Sequence, residues 1–277
     1  MSTNSSDYTL NPFGYTPVFG LAVAATVVYS LFTIIISIQS IYYGIVYFIV
    51  MSIVGVAESV GYGLRCALSS NVYLRTPYII MLCLIILAPV GLAFTNYVLV
   101  GRLIRYVGRE YSLVNPLIVE WAFIASDIIS IVVQGGGAAL LTSTDTSKIS
   151  IGQDILIAGL VINLISFCFF SIITIYLDYS IRKRRQQQKR AETENQNEKW
   201  RYIFYALYLS MTLLILRSIY RIVEFVTGFR GYVATSEVLF YIFDTLLMLV
   251  AFGLFIPMHP GIWMPKKPTV ATLTSST

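Results

Sequence analysis

Seven predominantly apolar stretches dominate this chain, at roughly 18–39, 44–67, 78–100, 118–141, 154–176, 202–226 and 237–256. Each is about the length, ~20 residues, that a helix needs to cross a bilayer. Hydrophobic residues make up 57% of the sequence and charged residues 12%, where soluble domains average about 25% charged. A water-soluble fold of this length could not cover so much apolar surface. The expected fold is therefore all-α: a polytopic membrane protein built as a seven-helix transmembrane bundle over residues 18–256. The first two stretches read as separate helices because Tyr42, Tyr43 and Gly44 interrupt them. Tyrosine, with 20 copies, suits the membrane–water interface.

Lys and Arg in the connections set the expected orientation. Tail 1–17 has none, and the second, fourth and sixth connections carry one each: Arg75, Lys148 and Arg230. The third has Arg102, Arg105 and Arg109. The fifth holds eight, from Arg182 to Arg201, and the C-terminal tail 257–277 adds Lys266 and Lys267. The N-terminus is thus expected outside and the C-terminus in the cytosol. Asn4-Ser5-Ser6 forms a glycosylation sequon on the outer side. The run "RKRRQQQKRAETENQNEK", at about 180–200, reads as a flexible cytosolic loop that touches anionic lipid, not nucleic acid. The tail beyond Pro265 is expected to be disordered, and no basic, apolar leader precedes residue 17.

Charged side chains are costly inside a membrane and face the bundle interior. Here they recur seven residues apart, which keeps a pair within about 20° of one helix face. The pairs are Glu58 with Arg65, Asp127 with Gln134, Arg217 with Glu224, and Glu237 with Asp244. Arg221 and Tyr62 join the same stripes. In the expected orientation every stripe runs from mid-membrane to the outer surface, so together they could line an outward-facing polar cavity. Two readings follow: a salt-bridge network that ties helices together, or a pocket whose arginines take phosphate or carboxylate and whose carboxylates take an amine. Arg221, one turn nearer the outside than Arg217, is the expected contact for an incoming head group. Pro89 is expected to kink the third helix, the "QGGGAA" run at 134–139 to allow close helix packing, and His259 to lie at the interface.

Several functions are excluded. One histidine cannot build a zinc hydrolase, so no metal or cofactor is expected. The last helix has no lysine for a retinal Schiff base. There is no phosphate-binding P-loop and no G-x-S-x-G. Cys66, Cys83 and Cys168 form no C-x-x-C pair and read as buried small residues. No enzymatic activity is expected.

Short motifs in order along residues 13–256 resemble the fungal RTA-like lipid-translocating exporter family. They are "YTP" at 15–17, "ESVGYGLR" at 58–65, "TPYI" and "LAP" in the third helix, "NYVLVGR" at its end, and "SDIISIVVQGGGAAL" in the fourth. "LRSIYRIVEFVTGFRGY" and "EVLFYIFDTLLML" follow. Thr245 stands where the resemblance leads one to expect a proline, which bears on the shape of the seventh helix. The resemblance implies a plasma-membrane protein linked to toxicant resistance. It would export or translocate amphiphilic lipid-like compounds, such as sphingoid long-chain bases or sterol-like molecules. A seven-helix sensor of such a lipid and a porphyrin- or haem-handling transporter are the alternatives. Its partners would be membrane lipids and the amphiphile.

Overall fold

A computed structural model describes residues 13, 15–107, 116–141, 146–189, 201–228 and 231–263. Asn4, Arg109, Arg230, segment 190–200 and the tail from 264 onward lie outside the described residues. Six long helices follow one another: α1 (Phe19–Tyr43), α2 (Ile49–Ser70), α3 (Arg75–Val107), α4 (Pro116–Leu140), α5 (Thr146–Lys189) and α6 (Arg201–Val226). All six are long and apolar enough to cross a membrane. In hydrocarbon every backbone N–H and C=O must find a partner within the protein, and a helix supplies these internally. The chain is thus an all-helical integral membrane protein.

The seventh apolar stretch is broken into pieces. After the short α7 (Tyr232–Thr235) come α8 (Glu237–Phe240), a wider π-type turn at Tyr241–Leu246, and α9 (Leu247–Gly253). At ~1.5 Å per residue the path from Glu237 to Gly253 covers about 25 Å, and the backbone stays right-handed helical across both junctions of the wide turn. A final turn, α10 (Pro260–Trp263), follows.

The first interruption has a clear local cause. Gly44 takes a left-handed conformation (φ 62°), which costs glycine least. Its N–H donates to the Ile41 carbonyl and that of Ile45 to the Ser40 carbonyl, at 3.1 and 3.0 Å. This is the Schellman ending, which satisfies carbonyls a helix terminus would otherwise strand.

Helices adjacent in sequence pack on each other: α1 on α2, α2 on α3, α4 on α5, and α5 on α6. Most buried side chains form one core, with a smaller cluster around Leu82, Ile86, Leu156 and Phe225. Outward faces carry exposed apolar residues such as Ile38, Val132, Ile172 and Val226. A soluble monomer rarely exposes so much apolar surface; here it is the lipid-facing belt.

Only one glycine of "QGGGAA" is at a close helix crossing. A Cβ on Gly137 would lie 2.7 Å from the Gly152 carbonyl oxygen and 2.8 Å from the Leu156 amide nitrogen, while Gly135 and Gly136 face open space. Gly137→Val is therefore expected to push α4 off α5 and cost about 1–3 kcal/mol. Gly136→Ala should stay within about 0.5 kcal/mol of the parent. Thermal unfolding of the two purified variants checks this, and equal midpoints would refute the crossing assignment.

Three local expectations change. The helix α5 continues through the basic run to Lys189, where a flexible loop was expected from Arg182 onward. Arg, Lys and Gln are good helix formers, and Asp178 pairs with Arg182 one turn later at 2.6 Å. Residues 13 and 15–17, expected as part of an extracellular tail, pack against the bundle, with Phe13 buried. His259, expected at the interface, is fully enclosed between Tyr43 and Phe48, and its Nδ1 accepts the Gly261 N–H. Burial pushes its imidazole down to about 4, so it is neutral at physiological pH.

Candidate functional site

The charged residues of α2, α6 and the broken seventh segment meet near one end of the bundle. Asp244 is the hub. Arg221 grips it with two parallel bonds, Nε to Oδ1 at 2.7 Å and Nη2 to Oδ2 at 2.6 Å, and donates Nη1 to Glu224 at 2.9 Å. The Nε of Arg217 sits 2.9 Å from Asp244 Oδ1, as an ion pair without hydrogen-bond alignment. Arg217, Arg221 and Asp244 are each at most 3% exposed. The forked guanidinium matches a carboxylate in this bidentate way.

The remaining strong bond of Arg217 reaches into α3. Its Nη2 donates to the Ile85 carbonyl at 2.7 Å. Ile85 lies four residues before Pro89, the position whose carbonyl an ordinary residue 89 would cap. Proline has no N–H to donate. Arg217 therefore supplies the donor that Pro89 withholds, and so ties α6 to α3 within the apolar core.

The wide turn places Asp244 and Thr245 among tyrosines. Tyr29 of α1 donates its hydroxyl to the Thr245 carbonyl at 3.0 Å, and Tyr62 of α2 donates to Thr245 Oγ1 at 2.7 Å. The two rings stack with centroids 5.3 Å apart, fully buried. Such wide turns are frequent at functional sites. Here the turn aims a carboxylate at two arginines and a threonine at two tyrosines, with no proline at 245.

Arg65 forms a second, more superficial centre. Its Nη2 donates to the Tyr15 hydroxyl at 2.7 Å and to Glu237 Oε1 at 3.2 Å. Glu237 also accepts the Val18 backbone N–H, at 3.0 and 3.1 Å from its two oxygens. Four aromatic rings surround the Arg65 guanidinium, nearest Phe240 at 4.4 Å. Phe240 also lies 5.3 Å beneath Arg221, so one ring separates the two centres. Burial pushes the Tyr15 hydroxyl above its ordinary value, against the opposing pull of Arg65, so Tyr15 stays protonated. Between the centres is a cavity of about 40 Å³, bordered by Phe13, Tyr15, Arg65, Arg221, Glu224 and Phe240.

Glu58, Asp127 and Gln134 stand apart from these bonds. Glu58 is buried with neither carboxylate oxygen hydrogen-bonded, facing the charges of Arg217, Asp244 and Arg221. Asp127 is buried on α4 beside Tyr97 of α3. Gln134 donates to Ser130, whose hydroxyl donates to the Gly159 carbonyl, so it joins α4 to α5. The structure thus brings Tyr62, Arg65, Arg217, Arg221, Glu224, Glu237 and Asp244 together, with Glu58 beside them. Gln134 lies in the α4–α5 contact, and Asp127 lies beside Tyr97 of α3.

Residue spacing alone did not reveal Phe13, Tyr15, Phe240 or Thr245. Tyr15 and Thr245 were marked only by motif resemblance, and Phe240 looked like any apolar residue. At the far end of α5 and α6 lies a wider groove of about 550 Å³. There Tyr208 donates its hydroxyl to Asp178 at 2.7 Å, beside the Asp178–Arg182 pair.

Comparison with known proteins shows the family. A family model described as "RTA1 like protein" matches residues 51–267. Protoporphyrin uptake protein 1 of Saccharomyces cerevisiae is 34% identical over 202 residues, which cover 72% of this chain and 64% of that protein. Sphingoid long-chain base transporter RSB1 of Saccharomyces cerevisiae is 29% identical over 250 residues, covering 79% of this chain and 65% of that one. Protein RTA1 of the same yeast is 29% identical over 206 residues, covering 74% and 63%. The chain spans less than two thirds of the length of these curated relatives. No solved structure matches it. With the family model spanning most of its sequence, the chain belongs to the RTA1-like protein family.

Proposed function

We propose that this protein translocates amphiphilic lipid-like molecules across a membrane, as a seven-span bundle whose seventh span is the broken segment at 237–256. The observation that carries the reading is the cavity beside Arg65. It has charged groups of both signs at its edge and apolar side chains for the rest of its wall, and it lies in a bundle whose outer faces meet lipid. At about 40 Å³ the cavity has room for little more than one water, so we take it as the closed form of a site for the polar head of an amphiphile. Two relatives support it by name: one is a sphingoid long-chain base transporter and the other a protoporphyrin uptake protein. The Lys/Arg bias of the connections supports an outward-facing cavity with the C-terminus in the cytosol, and the plasma membrane is the compartment proposed. No enzymatic step is part of the proposal.

A porphyrin cargo is the second reading, favoured by the arginines, since propionate groups pair with guanidinium. No histidine lies beside the cavity, so a haem iron would find no imidazole there. Reconstitution into liposomes with a fluorescent sphingoid base on one leaflet tests the main reading. Transbilayer movement well above protein-free liposomes is expected. Saturable binding without movement would instead make the protein a sensor or a lipid buffer.

A further inference from the structure

The residues that close the cavity from the N-terminal side are themselves bound as a polar head would be. The Tyr15 hydroxyl accepts from Arg65 at 2.7 Å, and the Val18 N–H donates to both oxygens of Glu237. Arg65 and Glu237 are paired at 3.2 Å, so the position of the acceptor and that of the donor are neighbours. Phe13 and Tyr15 border the cavity directly, and Phe13 packs edge-on against Tyr78 at 4.7 Å. Pro17 precedes Val18 and fixes its own φ near −65°, which limits the paths the chain can take into α1. Removing this segment would enlarge the cavity and bare a guanidinium and a carboxylate side by side. Met81, Leu82 and Phe225 would remain as an apolar wall.

We propose that Arg65 and Glu237 form a head-group site, held in this closed state by the protein's own Tyr15 and Val18. The ligand that replaces them is an amphiphile with an amine and a hydroxyl on neighbouring carbons, the amine on Glu237 and the hydroxyl on Arg65. A bare carboxylate or phosphate head satisfies Arg65 but repels Glu237. A neutral amide head offers Glu237 only what Val18 already offers, a hydrogen bond without a charge, so it gains nothing over the closed state, whereas an amine adds a positive charge. Phe13 and residues 15–18 are then a lid, and binding competes with its closure. Apparent affinity falls by the fraction of molecules that are closed. The inference deepens the translocation reading and rests on it for the ligand class.

Equilibrium binding to the purified full chain in lipid nanodiscs tests it, with a fluorescent sphingoid base and its N-acetyl derivative as probes. Tyr15→Phe removes one lid bond and is expected to tighten binding of the free base by about ten- to a hundredfold, the worth of one charge-assisted hydrogen bond. The N-acetyl probe should bind at least about tenfold more weakly than the base. Glu237→Gln should abolish that discrimination. As an independent readout, a cysteine at position 15, with Cys66, Cys83 and Cys168 replaced by alanine, should label faster with a water-soluble maleimide when the base is bound. Unchanged or weaker binding in Tyr15→Phe, equal affinity for the two probes, or base-independent labelling would each overturn the lid. None of these readouts needs lipid to move. This pattern without movement in liposomes would therefore sink translocation alone, and movement with an indifferent Tyr15→Phe would sink the lid alone.

Discussion

Asp244→Asn is expected to lower stability by about 3–5 kcal/mol, the scale for stranding one side of a buried ion pair. The carboxylate takes both aligned bonds from Arg221 and faces Arg217 at 2.9 Å. An amide offers one acceptor and no charge, so two guanidinium groups would share what remains. The loss should be visible as a lower Tm and reduced abundance in the membrane. Adding Arg221→Met should restore roughly half of it, because Arg217 and Glu224 then remain as one cation and one anion. A double mutant no better than Asp244→Asn would show that Arg221 is not the principal partner. The same geometry bears on the expectation that Arg221 meets the head group. Its Nε, Nη1 and Nη2 each already donate to a carboxylate, so the head-group contact is proposed for Arg65, which has four aromatic rings around it.

The second large effect is at Arg217. Arg217→Gln withdraws a charge from Asp244 and the donor from the Ile85 carbonyl, and should cost about 3 kcal/mol. Pro89→Ala supplies a backbone N–H where that carbonyl needs one. In the Arg217→Gln background it is expected to recover about 1 kcal/mol more than it gives in the parent protein. A double-mutant cycle measured by thermal or denaturant unfolding reports the coupling directly. Strict additivity, within about 0.5 kcal/mol, would break the link between the proline and the arginine.

Much of this fold could be read from the sequence because the bilayer imposes one demand on every segment. Apolar runs of spanning length became α1 to α6, and the Tyr42–Gly44 interruption became a Schellman ending at Gly44. The seven-residue spacing correctly put Glu58, Arg65, Asp127 and Arg217 on buried faces. Spacing states which face a residue is on, not which helix it meets. Arg65 pairs with Glu237, not with Glu58 of its own stripe, and Asp127 lies with Tyr97 away from the arginines. The broken seventh segment had no glycine or proline at 241–246 to announce it. Pro89 was legible as a perturbed helix but not as the source of a bond to Arg217, since the freed carbonyl belongs to a residue one turn away. The basic run after Arg182 looked like a loop because charge and low complexity masked its good helix formers.

The division into a structural half (Asp244, Arg217, Arg221) and a ligand half (Arg65, Glu237) is tested most directly by one comparison. Purified parent protein and Arg65→Gln, reconstituted in equal folded amounts, are assayed for transbilayer movement of a fluorescent sphingoid base. The account predicts rapid movement for the parent and near protein-free rates for Arg65→Gln, with a smaller loss of Tm than in Asp244→Asn. Parent protein no faster than empty liposomes, or Arg65→Gln as fast as the parent, would contradict it.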